Sequence, residues 1–140
     1  MKVAAIQMVS TGVLADNLRQ ARQLLEQAAQ SGAELAVLPE YFCLIGQHDG
    51  DKLAIQEAFG TGPIQQFLAD SARELGLWLV GGTLPLSTAH AEHVYNSSLV
   101  FDPAGACVAR YDKIHLFRFD NGLESYDESR VLERSVLPTR

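Results

Sequence analysis

Apolar residues recur along this chain in two rhythms: short unbroken runs, and stripes spaced three or four positions apart. Residues 2–8 (KVAAIQM) are mostly apolar and predict a strand, expected in the middle of a sheet. Asp16 then suits the N-cap of a helix carrying Leu18, Ala21, Leu24, Leu25 and Ala28 on one face, with Arg19, Arg22, Gln23 and Glu26 turned outward. Gly32 follows as the helix stop. Residues 35–38 are continuously apolar and too few for a helix stripe, so they predict a strand buried on both faces. Strand, helix and strand make one right-handed crossover, with its two strands parallel.

The same alternation continues downstream. Residues 43–52 predict a glycine-containing loop, followed by a short helical stretch through Leu53, Ile55 and Phe59. Gly60-Thr61-Gly62-Pro63 is a break with proline poised to open a helix, and Ile64, Phe67, Leu68, Ala72 and Leu75 form its stripe up to Gly76. Residues 77–80 (LWLV) predict another buried strand running into Gly81-Gly82-Thr83, and residues 83–92 a polar loop. Residues 94–101 and 106–111 predict a hairpin closed by the turn Asp102-Pro103-Ala104-Gly105. This order of elements belongs to the α/β class.

Composition narrows the picture. At 140 residues and 47% hydrophobic content the chain suffices for one core, whole or partial. Seventeen acids against eleven Lys and Arg give a net charge of -6, which offers no basic field to a polyanion, so nucleic acid is not an expected partner. No run of eighteen apolar residues predicts a membrane span, and the strand pattern at the first residues leaves no room for an export signal. A cytoplasmic location with no membrane partner is the expectation. Cys43 and Cys107 stand far apart without a zinc-like spacing and require no disulfide.

Two charged residues stand at predicted strand ends, where α/β sheets gather reacting groups. Glu40 follows Pro39 directly after the strand at 35–38, and Lys113 follows the returning strand of the hairpin. Taken singly, each has an ordinary reading: a solvated loop acid, and a surface lysine with its stem packed on apolar neighbours. His90, His93 and His115 could suggest a zinc hydrolase, but the first two fall in a loop and no third ligand has a usual spacing, so no metal or cofactor is expected. His115, alternating with Ile114 and Leu116, is expected to be structural.

Together these segments resemble the nitrilase, or carbon-nitrogen hydrolase, superfamily, in its amidase-like branch. An opening strand like KVAAIQM, the segment ELAVLPEYF and the segment GACVARYDKIHLF stand in the family's order, with Asn96 in VYNSSLVFD and the turn DPAG in matching places. The resemblance covers residues 1 to about 134. It implies an α-β-β-α sandwich, of which this chain is the amino-terminal part, and a small amide or nitrile as substrate. It also implies a Glu-Lys-Cys triad: Glu40 the general base, Lys113 the charge that stabilises the tetrahedral intermediate, and a cysteine thiolate the nucleophile. A second loop glutamate that holds the lysine would be Glu128, with Glu124 the alternative. Family members commonly form homo-oligomers.

Neither cysteine here suits the nucleophile. Cys43 lies three residues after Glu40, and Cys107 lies within the strand before Lys113. The cysteine-bearing segment expected on the resemblance is not among the 140 residues, so residues 1–140 are expected to be a partial domain, truncated before it and inactive alone. Half a sandwich should also leave an apolar sheet face uncovered, making the chain aggregation-prone or partner-dependent. The alternative function is a non-catalytic module that pairs with a full-length relative.

Overall fold

Two helices back one face of a six-stranded sheet in the computed structural model, which describes residues 1–48 and 50–135. Asp49 of the predicted loop and the chain end at 136–140 lie outside the described residues. The strands are β1 (Val3–Ala5), β2 (Leu35–Val37), β3 (Trp78–Val80), β4 (Leu84–Ser87), β5 (Val94–Phe101) and β6 (Cys107–Asp112). The helices are α1 (Leu14–Gln30), the single turn α2 (Asp51–Ala54) and α3 (Pro63–Leu75), with β2 between α1 and α2. A hairpin of β7 (Arg118–Asp120) and β8 (Ser125–Asp127) stands apart as a second sheet.

β1, β2 and β3 run parallel, as the crossover predicts. β5 is the hub of the rest: β3, β4 and β6 all pair with it antiparallel. Ser97 faces Leu84 of β4 and Asp112 of β6, so those two strands occupy opposite edges of β5. β3 and β4 therefore follow one edge in succession, interrupted at Gly81-Gly82-Thr83.

Ala21 and Leu25 of α1 and Ile64, Leu68 and Ala72 of α3 meet Ala36, Leu79, Leu99 and Phe101 of the sheet in one core. The other sheet face carries the alternate residues. Val3, Leu35 and Trp78 lie in register across three strands, and Val3 and Trp78 are 57% and 38% exposed. That part of the face stands open, whereas Val94 of β5, on the same face, is covered by Val131 and Leu132. At about 25 cal/mol for each Å² left in water, such a face is a standing cost to the fold.

Several local expectations are corrected. Among the described residues β1 is an edge strand, not a central one: it pairs there with β2 alone, and after Ile6 N–H donates to the Val37 carbonyl the ladder ends. α1 begins at Leu14 with Val13 at its N-cap. Asp16 lies in the first turn, where its charge suits the helix dipole and pairs with Arg19. Residues 84–87 of the supposed polar loop form the buried β4. Pro85 is tolerated there because its nitrogen side faces away from β5, toward Glu57, so no ladder bond is lost. The helical stretch before α3 stops at Ala54, and Glu57 instead caps α3: its carboxylate accepts from the backbone N–H groups of Ile64 and Gln65.

Candidate active site

Glu40 is carried on the turn after β2, and an unusual backbone fixes that turn. Tyr41 has a φ of 50°, a left-handed conformation that costs a non-glycine residue about 1–3 kcal/mol and persists only when its surroundings hold it. Thr83 does part of the holding, its Oγ1 accepting from the Tyr41 N–H at 2.8 Å. Gly82 makes that reach possible. It has a φ of 57°, and a Cβ there would sit 2.1 Å from the Pro39 carbonyl oxygen. Asn17, buried in α1, ties the far side of the loop: its Nδ2 donates to the carbonyls of Thr11 and Cys43 at 2.7 and 2.8 Å. Gly82→Ala should thus push on Pro39 and shift the glutamate, lowering stability by about 2–3 kcal/mol in a urea titration.

Lys113 arrives from the other direction. Its backbone N–H donates to the Asn96 carbonyl at 2.9 Å just past the end of β6, and its ammonium lies 3.0 Å from Glu40 Oε1. The same ammonium is 3.1 Å from Glu128 Oε2. Glu128 lies at the start of a 3-10 turn after β8, with only 7% of its side chain exposed. The Phe117 N–H donates to its Oε2 at 2.7 Å. Glu124 is exposed near the tip of the β7–β8 hairpin, away from the lysine. Asn121-Gly122 stands at the turn of that hairpin, with Gly122 at a φ of 82°.

The electrostatics follow from one cation between two carboxylates. Partial burial pulls the Lys113 pKa down, but hydrogen bonds and charge from Glu40 and Glu128 outweigh it and hold the ammonium above the ordinary lysine value of 10.5. A raised folded-state pKa gives stability that is complete below the unfolded value and lost as pH rises through the folded one. The cost of Lys113→Met should therefore be the same at pH 7 and pH 9 and shrink above about 10.5, which urea titrations at the three pH values would check.

Glu40 is half-exposed, with 52% of its side chain accessible, so the pair opens to solvent and is not sealed from water. It borders a cavity of about 400 Å³ lined by Glu40, Thr83, Asn96, Ser98, Tyr111 and Lys113, together with His115. By strand alternation, Asn96, Ser98 and Tyr111 lie on the same side of the sheet as Val3, Leu35 and Trp78. A larger neighbouring cavity of about 740 Å³ contains His90, His93 and His115 but not the carboxylate–ammonium pair. His90 Nδ1 lies 3.0 Å from Glu133 Oε2, and no metal-binding cluster occurs among the described residues. His115 is exposed at the boundary of both cavities, not packed among Ile114 and Leu116 as expected of a structural residue.

The cysteines lie outside this arrangement. Burial pushes the Cys43 thiol up to about 12, and its Sγ faces the Thr83 carbonyl at 3.7 Å. Cys107 is exposed in a separate hollow beside Gly105 and Phe59, and its pKa is also raised by burial of the sulfur. Sequence reasoning missed Asn17, Thr83 and Gly82 as supports of the glutamate turn. The Gly-Gly-Thr break was visible, but its contact partner 42 residues earlier was not.

Comparison with known proteins adds the following. Residues 2–140 match the family described as carbon-nitrogen hydrolase. The chain is 36% identical over 115 residues to a deaminated glutathione amidase of Synechocystis sp., covering 81% of this chain and 42% of that protein. It is 32% identical over 132 residues to the human omega-amidase NIT2, covering 94% of this chain and 46% of the relative. Among solved structures, the C. elegans NitFhit protein superposes with a TM-score of 0.80 at 27% identity, over 96% of this chain and 33% of that one. Saccharomyces cerevisiae Nit3, a member of branch 10 of the nitrilase superfamily, gives a TM-score of 0.74 at 28% identity, over 84% and 45%. The chain spans about half the length of the curated relatives it matches.

Proposed function

The chain belongs to the carbon-nitrogen hydrolase family, and on that premise we propose that it supplies the base and the electrostatic half of an amidase site acting on a small, non-peptide amide. The observation that carries this is the 3.0 Å approach of Lys113 Nζ to Glu40 Oε1 beside an open cavity. In the proposed reaction Glu40 takes the proton of a cysteine thiol and the thiolate attacks the amide carbonyl. Lys113 stabilises the oxyanion, and Glu40 returns the proton to the departing amine as the C–N bond breaks. Glu40 then deprotonates the water that cleaves the thioester and passes that proton to the departing sulfur, which restores the thiol and the carboxylate as the acid product leaves. Glu128 fixes the lysine from its buried side and keeps it charged. A nitrile would suit the same thiolate, but the names of the relatives favour an amide.

The nucleophile in this proposal is neither Cys43 nor Cys107. It comes from residues outside these 140, so residues 1–140 alone hydrolyse no amide. The uncovered sheet face supports reading residues 1–140 as part of a larger sandwich domain whose second sheet packs on Val3, Leu35 and Trp78 and brings the thiol to the cavity at the end of that face. The same face favours the second reading, a non-catalytic module that pairs with a full-length relative.

The test is the intact mass of the protein as its own cell makes it, compared with 15.3 kDa, together with ammonia release from a panel of small ω-amides. A larger product with an additional cysteine that releases ammonia supports the amidase. A 15.3 kDa product that hydrolyses nothing and binds a full-length relative equally well with Glu40 intact or changed to Gln supports the module instead.

A further inference from the structure

Glu40 has two carboxylate oxygens, and the structure treats them differently. Oε1 accepts from Asn96 Nδ2 at 2.7 Å and from Lys113 Nζ at 3.0 Å. Among the described residues Oε2 has no hydrogen-bond donor. Asn96 also accepts the Lys113 N–H on its own carbonyl at 2.9 Å. One residue of β5 thus holds the base through its side chain and the cation through its main chain.

The position of Asn96 is costly for a residue without a task. It is 1% exposed, and among the described residues its buried Oδ1 has no hydrogen-bond partner. Turning the amide over would place Oδ1 against the glutamate oxygen, two acceptors in contact, so the orientation with Nδ2 on Glu40 is the one electrostatics selects. A core position facing only packing demands would be met by leucine, which is close in volume and leaves no orphaned oxygen. An unpaired buried carbonyl that survives beside a functional carboxylate points to a placement kept for the carboxylate.

We propose that Asn96 is a positioning residue: it locks Glu40 Oε1 onto Lys113, so that Oε2 is the oxygen left to take and return the proton. The proposal rests on the amidase reading of Glu40 given above. It predicts that losing the amide donor frees the carboxylate to rotate about its last bond, which spreads Glu40 over orientations in which the base oxygen is already engaged by the lysine. Ground-state binding of the amide is untouched, so the loss falls on turnover.

The experiment uses the protein as its own cell makes it. Asn96→Ala and the isosteric Asn96→Asp are compared with wild type for kcat and KM on a small ω-amide, and the side-chain amide of Asn96 is followed by ¹H–¹⁵N NMR in wild type and Glu40→Gln. Expected are a kcat lower by about 10–100-fold in both variants with KM within about threefold, and a downfield Asn96 amide proton that moves upfield when Glu40 loses its charge. A merely structural asparagine would lower the thermal midpoint without a selective loss of kcat. An Asn96 amide signal unmoved by Glu40→Gln overturns the proposal, and so does a kcat within twofold of wild type in both Asn96 variants while Glu40→Gln is inactive. A Glu40→Gln protein as active as wild type refutes the amidase reading instead, and the amide signal then still decides whether Asn96 holds Glu40.

Discussion

Replacing Glu40 by glutamine is expected to lower amide hydrolysis by at least about 10³-fold in the protein as its cell makes it, while the unfolding midpoint stays close to wild type. Glutamine keeps the size of the side chain and a carbonyl oxygen that can still accept from Asn96 Nδ2 and Lys113 Nζ, so the local geometry survives. Glu40 is also half-exposed, which limits its part in stability. What glutamine cannot do is accept a proton at neutral pH. Steady-state kinetics on a small amide, paired with a thermal melt, separates these effects; an unchanged rate would remove Glu40 from the chemistry.

The second large effect is expected at Lys113. Lys113→Met keeps the stem and deletes the charge, which should cost about 10³-fold in turnover by withdrawing the cation from the oxyanion. It should also destabilise the fold by about 2–4 kcal/mol, because Glu128 is left buried with, among the described residues, only the Phe117 N–H to satisfy it. Pairing the change with Glu128→Gln should recover most of the stability and none of the activity. Urea titration and kinetics on the two single variants and the double variant check this. A double variant no more stable than Lys113→Met would show that the Glu128 charge is not what the lysine balances.

Both outcomes turn on charged residues that the chain pattern makes visible, with supports that it does not. Glu40 and Lys113 announced themselves by standing at strand ends after apolar runs. The helices were equally legible: α3 was delimited by Pro63 and Gly76, and Gly76 has the left-handed backbone of a helix stop, with φ 64°. The β7–β8 hairpin carried its own signal in Asn121-Gly122 between short alternating runs, yet its exposure removed the buried face that makes strands stand out. Pro85 concealed β4 because a proline in a sheet depends on which edge of the strand is paired, and that is decided by β5 and Glu57.

By itself the sequence determined what depends on neighbours along the chain: the parallel crossover of β1, α1 and β2, the β5–β6 hairpin, the family resemblance, and Glu40 and Lys113 as the charged residues to watch. Only the tertiary structure decided that Lys113 lies between Glu40 and Glu128, that Glu124 stands apart near the hairpin tip, that Cys43 is buried, and that Asn96 grips the glutamate. The physical reason is range. Helix stops, turns and hydrophobic periods act within a few residues, whereas a hydrogen bond spanning 73 positions exists only after β2 and β5 have joined one sheet through β3 and delivered both ends to the same edge.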